Sequence, residues 1–335
     1  VTATIDLTGR QPGWPAHATQ LWSECVAEAI RDDRHSRTPP RAGLAELRAE
    51  LGQRWGMDPE RMVVTTGVCA AAALLTRPGD VALVESPGFS GLPATLRAMG
   101  ADVTLTSWER MPADAAAAGE ARCWVTSPGR NPDGATLPAA IAERIGPHRL
   151  VVNEIYRPYD PDAAVVDADI RLASLSKVAG GGSRLGWLTV PPDQLDSLLG
   201  RHLAWPATLS QLAWTLFLRR GGLDEVREVY VMRCHEARTA FVTVADGVLD
   251  DRARAAGGSS LLLSTAQPDA VAVLRDHGVL VGPGPDFLAG PEQVRLCFSD
   301  VTPEEATDAG HRIVSLVNAG RLTIPQLLQP AVTNV

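Results

Sequence analysis

Along the middle of the chain, short apolar runs alternate with stretches in which apolar residues recur at helical spacing. Met62-Val63-Val64-Thr65-Thr66 is a β-branched run ending at Gly67, and Cys69 to Leu75 is an Ala/Leu-rich stretch stopped by Pro78-Gly79-Asp80. Val81 to Val84, Asp102 to Thr106, Cys123 to Thr126, Leu150 to Val152, Ile170 to Leu175 and Gly186 to Val190 repeat the first pattern. Leu92 to Met99 and Leu137 to Ile145 repeat the second. Short apolar strands separated by helices predict a mostly parallel sheet covered on both faces. In such a sheet ligands bind at the carboxyl ends of the strands.

The rest of the chain reads differently. Residues 208–250 carry Leu, Val and Arg at helix spacing, while Ser259 to Ser264, Gly278 to Val281 and Gln293 to Phe298 predict short strands. Pro303 to Asn318 predicts a helix capped by Thr302, with Glu304 and Glu305 in its first turn. Residues 1–44 hold a helix near Leu21–Arg31 and the turn-rich Thr38-Pro39-Pro40, and are expected to pack with the C-terminal unit. The expected organisation is a large α/β domain over residues 45–225 and a small α+β domain built from 1–44 and 226–335. No internal repeat is present, and the pattern assigns nothing to the tail after Arg321.

Composition narrows the function classes. The 335 residues carry a net charge of −8 without a basic block, which argues against nucleic acid or an anionic membrane as the partner. No apolar run approaches the roughly 18 residues of a membrane span. No basic region followed by an apolar stretch opens the chain, so no signal peptide and a cytoplasmic location are expected. The five cysteines (Cys25, Cys69, Cys123, Cys234, Cys297) are scattered, without a C-x-x-C pair or a histidine at zinc-finger spacing. They are expected to be small buried hydrophobes, with no metal site.

The basic residues point to chemistry. All 31 are arginine except one, Lys177, which stands in Ser174-Leu175-Ser176-Lys177-Val178-Ala179-Gly180. Arginine supplies positive charge everywhere else in the chain, but it cannot supply a primary amine. A lysine amine can shift its pKa and form a Schiff base with an aldehyde. Thr65-Thr66-Gly67-Val68 ends a strand and opens a helix, where backbone N–H groups make an anion site and glycine lets the backbone approach closely.

Taken in order, these segments resemble the fold type I enzymes of pyridoxal 5′-phosphate (PLP), specifically the class I/II aminotransferase family, from about Ile5 to Asn318. The resemblance implies a three-layer α/β/α large domain of the aspartate-aminotransferase type, a small α+β domain, and a homodimer. It makes Lys177 the Schiff-base lysine and proton shuttle. Ser174, Ser176 and Arg184, with Thr66, Gly67 and Val68, become the contacts to the cofactor phosphate. Phe89, in Glu85-Ser86-Pro87-Gly88-Phe89, takes the place of the aromatic residue stacked on the pyridine ring. Asn131, in Ser127-Pro128-Gly129-Arg130-Asn131-Pro132-Asp133-Gly134, and Tyr156 would bond the phenolic oxygen. Arg295, in Val294-Arg295-Leu296-Cys297-Phe298, would clamp a substrate α-carboxylate with its planar fork.

Departures from the family pattern accompany these matches. The strand Val151-Val152-Asn153-Glu154-Ile155-Tyr156 carries Asn153 where the family has an aspartate paired with the pyridine nitrogen. An amide cannot hold that nitrogen protonated as a carboxylate does, so the ring becomes a weaker electron sink. Glu154 is no substitute, because neighbouring strand residues point to opposite faces. The stretch from His35 to Gly43 lacks the family's aromatic residue that reaches the neighbouring subunit's phosphate; His35, Arg37 and Arg41 are the residues that could compensate. The chain is also short around Pro112–Gly119 and Gly134–Asn153, which would open one wall to a bulky or carried substrate. The leading expectation is an aminotransferase acting on an amino acid or a close analogue. The alternative is a relative repurposed as a lyase, decarboxylase or oxidative deaminase in specialised biosynthesis, and the third reading is a non-enzymatic PLP-binding protein.

Overall fold

The computed structural model describes residues 3–255 and 257–325. Its strands are β1 (Ile5–Asp6), β2 (Met62–Thr65), β3 (Val81–Glu85), β4 (Asp102–Thr106), β5 (Arg122–Thr126), β6 (Leu150–Asn153), β7 (Ile170–Ser174), β8 (Gly186–Thr189), β9 (Ser260–Ser264), β10 (Val279–Leu280), β11 (Gly282–Pro283) and β12 (Gln293–Cys297). Seven of them form one sheet in the order β2-β8-β7-β6-β5-β3-β4. β3 to β7 run parallel, and β8 is antiparallel to both β2 and β7. β2, β6 and β8 are buried along their whole length, and β5 at every residue after Arg122, as strands covered on both faces must be. A mostly parallel sheet was expected, and this is one.

The helices that cover the sheet follow the apolar pattern, with boundaries shifted by local chemistry. Pro138 caps a helix over Ala139–Ile145, so the expected start at Leu137 moves inward. The helical region after residue 208 is two helices, Thr208–Arg219 and Gly222–Ala245, broken at Gly221 with φ 76. Thr302 and Glu305 form a reciprocal capping box on Pro303–Asn318. The first helix spans Ala16–Ala29, starting at Pro15 and ahead of the expected Leu21.

A smaller antiparallel sheet, β11-β12-β9, holds the C-terminal part together. The N-terminal segment divides between the two regions. β1 pairs with β10 near that small sheet. The helix Ala16–Ala29 packs on Thr208–Arg219 through Trp14, Trp22, Trp214 and Phe217, with Trp22 and Trp214 centroids 4.4 Å apart. The tail beyond residue 325 lies outside the described residues. Among the described residues no helix is long and apolar enough to cross a membrane.

Candidate active site

At the carboxyl ends of β2, β5, β6 and β7 the chain lines a cavity of about 210 Å³. Its first wall is the turn out of β2. Gly67, at φ 134, leads into the helix Val68–Leu75, and the Ala71 N–H is the first to bond back, to the Gly67 carbonyl. The N–H groups of the residues before Ala71 therefore have no partner within the helix and form an anion site. Gly186 of β8 presses against this turn: a Cβ there would stand 2.6 Å from the Gly67 Cα. Opposite lie Ser174 and Ser176, their hydroxyls 2.9 Å apart, and Arg184. Arg184 has φ 43, a left-handed conformation uncommon outside glycine. Its guanidinium makes no ion pair or hydrogen bond among the described residues. This wall therefore combines free N–H groups, two hydroxyls and an unpaired cation.

Lys177 closes the 3-10 turn Leu175–Lys177 and reaches into the same cavity. Its Nζ has no acidic partner among the described residues and stands 6.0 Å from the centre of the Tyr156 ring. Carbonyls around it are held from a distance along the chain. The Tyr159 hydroxyl donates to the Lys177 carbonyl at 2.9 Å, and burial pushes that phenol well above its usual pKa. Gln11 donates to the Ser176 carbonyl at 2.6 Å while its Oε1 accepts from the Gly181 N–H at 2.8 Å. Trp14 Nε1 donates to the Ala179 carbonyl at 3.0 Å.

The polar floor comprises Asn131, Asn153, Thr126 and Tyr156. Asn131 is buried, and its Oδ1 has no partner. The loop that carries it is braced by Arg130, which pairs with Asp133 and lies 3.7 Å above the Trp108 ring. Beneath, Glu85 accepts from Trp108 Nε1 and from the Thr126 N–H, both at 2.9 Å. Burial pushes the Glu85 carboxyl up to about 7, although Arg130 and the two N–H donors pull the other way. Asn153 Oδ1 accepts from the Ile155 N–H at 3.2 Å. Glu154 is turned away from the cavity and fully buried, in ion pairs with Arg171 at 2.8 Å and Arg157 at 3.2 Å.

Of the residues named from the sequence, Thr66, Gly67, Val68, Phe89, Asn131, Asn153, Tyr156, Ser174, Ser176, Lys177 and Arg184 all line this one cavity. Phe89 does so while 43% exposed. Arg295 does not line it. It lies beneath the N-terminal segment, donating from Nη1 to the Thr8 carbonyl at 3.0 Å, with its guanidinium 4.7 Å from the Phe287 ring centre. Its Nε is buried without a partner. Cys297, two residues on and on the same face of β12, lies within the field of both Arg295 and Lys177. Burial alone would raise its thiol, but Arg295 and the Ser299 hydroxyl hold it below its usual value.

His35, Arg37 and Arg41 do not line the cavity of their own chain: His35 Nδ1 lies 2.7 Å from the Asp32 carbonyl, Arg37 pairs with Asp33, and Arg41 donates to the Leu199 carbonyl. Cys69 departs from the expected burial. It is half-buried and lines the cavity beside Ala70, because the opening turn of its helix faces the anion site. Sequence reasoning missed Gln11, Tyr159 and Thr126. Only Thr126 carried a signal, as the last residue of an apolar strand before Ser127-Pro128. No group of His, Cys, Asp and Glu among the described residues could hold a metal ion.

The family profile described as aminotransferase class I and II matches residues 14–313. A histidinol-phosphate aminotransferase of Haloquadratum walsbyi is 26% identical over 90% of this chain and 85% of its own length. The aminotransferase tdiD of Emericella nidulans is 26% identical over 73% of this chain and 68% of its own. Among solved structures, aspartate aminotransferase of Thermus thermophilus with maleate superposes with a TM-score of 0.77 at 22% identity, covering 94% of this chain and 92% of that one. An α-aminoadipate aminotransferase of the same organism, complexed with N-(5′-phosphopyridoxyl)-L-leucine, gives 0.74 at 21% identity over 95% and 94%. The chain belongs to the aminotransferase class I and II family, has the aspartate-aminotransferase fold, and is a PLP-dependent transferase.

Proposed function

We propose that this member of the aminotransferase class I and II family holds PLP in the cavity described above and transfers the amino group of an amino acid or a close analogue. The observation that carries this reading is the placement of the one lysine amine of the chain, unpaired, between an anion site and a polar floor. Those residues fit a phosphorylated aromatic aldehyde. The free N–H groups after Gly67, the Ser174 and Ser176 hydroxyls and the unpaired Arg184 match a phosphate. Asn131, whose buried Oδ1 has no partner among the described residues, and Tyr156 offer polar groups to a ring lying on that floor.

When bound, PLP supplies an aldehyde carbon and a conjugated ring that draws electrons from the substrate α-carbon. The protein does the rest. Lys177 Nζ would be the amine that holds the aldehyde, and as a free amine it would be the base nearest the substrate α-proton. Tyr159, Gln11 and Trp14 keep the backbone under it in place. Tyr156 and Asn131 set the polarity around the ring oxygen. Arg295 offers a planar fork for a carboxylate if its present bond to the Thr8 carbonyl is exchanged for one to substrate. Arg184→Ala should weaken PLP retention at least tenfold while leaving the fold intact, read by dialysis against buffer and by circular dichroism.

One observation favours a second reading. The floor presents the Asn153 amide, and among the described residues no carboxylate lines the cavity. A weaker electron sink slows transamination, and lyase, decarboxylase or oxidative deaminase chemistry would tolerate it better. Product analysis with a panel of amino acids separates the two: a keto acid formed together with the aminated cofactor supports transfer. Loss of carbon dioxide, thiol or ammonia without aminated cofactor supports the second reading.

A further inference from the structure

Asn153 ends β6, in the middle of the large sheet, where its Cα partners are Thr126 on β5 and Leu172 on β7. Its side chain is buried yet lines the cavity. The two ends of the amide are not equivalent. Oδ1 accepts from the Ile155 N–H at 3.2 Å, which fixes the orientation of the group, because the turned amide would set its own N–H₂ against that buried donor. Nδ2 has no partner among the described residues and is the end left for a ligand.

Among the described residues no carboxylate lines the cavity beside it, and the cavity's ionisable cations are Lys177 and Arg184. Glu154, the adjacent residue, is held on the far side by Arg157 and Arg171. Glu85 lies buried beneath the floor, with both oxygens occupied by N–H donors. A pyridine nitrogen meeting an N–H₂ group is favoured as a neutral acceptor; a pyridinium N–H there would face another donor. We infer that Asn153 Nδ2 donates to the ring nitrogen of bound PLP and keeps that nitrogen unprotonated. This rests on the reading of the cavity as a PLP site.

The consequence is chemical. The ring takes up less charge from the α-carbon, so Lys177 must do its proton transfer with less help, and the site favours substrates whose α-proton or leaving group is already activated.

The test is the ¹⁵N resonance of PLP labelled at the ring nitrogen and bound to the wild-type protein, followed across neutral pH. The inference expects the resonance of a hydrogen-bonded, unprotonated pyridine that does not move with pH, and a shift to the pyridinium position in Asn153→Asp. A pyridinium resonance in the wild type, or the same resonance in both proteins, overturns it. Reduction with borohydride and peptide mass analysis on the same samples separates this from failure of the functional reading. An adduct on Lys177 with a pyridinium resonance sinks the Asn153 inference alone. Absence of both retained PLP and adduct sinks the functional reading, and the inference with it.

Discussion

Single side chains at this site act through what they leave unpaired. Among the described residues Lys177 Nζ, the Arg184 guanidinium and Asn131 Oδ1 have no hydrogen-bond or ion-pair partner, whereas Glu154 is saturated by two arginines. The lysine was legible in the sequence because a chain that uses arginine at every other basic position kept one amine. Asn153 was legible as a departure, but the direction of its amide was not, since that depends on the Ile155 N–H. Arg295 was legible as a motif, yet its sequence could not show that Thr8 and Phe287 hold it under the N-terminal segment.

Glu85 gives a residue-scale prediction. Its folded pKa of about 7 exceeds its ordinary 4.5, so the folded chain binds the extra proton between these values. Stability then falls as pH rises from about 4.5 to about 7, by an amount on the order of 3 kcal/mol. Glu85→Gln should lack this fall, giving a flatter curve of denaturation midpoint against pH. Parallel curves for the two proteins would show that Glu85 is already ionised.

Among elements, the segment over residues 7–14 has the widest reach. Its carbonyls at Leu7, Thr8 and Arg10 accept from the Cys297 N–H, Arg295 Nη1 and the Ser299 hydroxyl. Its side chains at Gln11 and Trp14 bind the backbone of the lysine loop. The strand carrying Arg295 and the loop carrying Lys177 are thus tied by one short stretch. Gln11→Ala should leave the melting temperature within a few degrees, since an exposed hydrogen-bonding pair contributes about 1 kcal/mol. It should nevertheless lower kcat several-fold at unchanged KM; a change in KM alone would remove Gln11 from the positioning of Lys177.

The alternation of strands and helices was readable because fully buried strands leave contiguous apolar runs. The pairing of β8 antiparallel to both neighbours was not. Nor were the helices Ala45–Trp55, Met111–Ala117 and Ala270–Asp276, which the pattern left unassigned. The latter two are only seven residues each, too short for helical periodicity to stand out, and Pro112 sits in the first turn of one.

For the whole molecule, we propose the division into a large unit over 45–225 and a small unit from 1–44 and 226–335, with a homodimer as the active species. The division is supported by separate sheets in the two regions. One apolar cluster nevertheless runs from Val63 to Phe298, so the two regions should unfold in a single transition. Light scattering should give about twice the 35.5 kDa of one chain, and a fully active monomer would contradict the proposal.

The most direct measurement is the visible absorption spectrum of the PLP-loaded protein, titrated with a panel of amino acids alongside Lys177→Ala. The account predicts a lysine-linked band in the wild type that the variant lacks, converted by at least one amino acid to the pyridoxamine form with its matching keto acid. Identical spectra for the two proteins would contradict the role of Lys177 on which the whole reading depends.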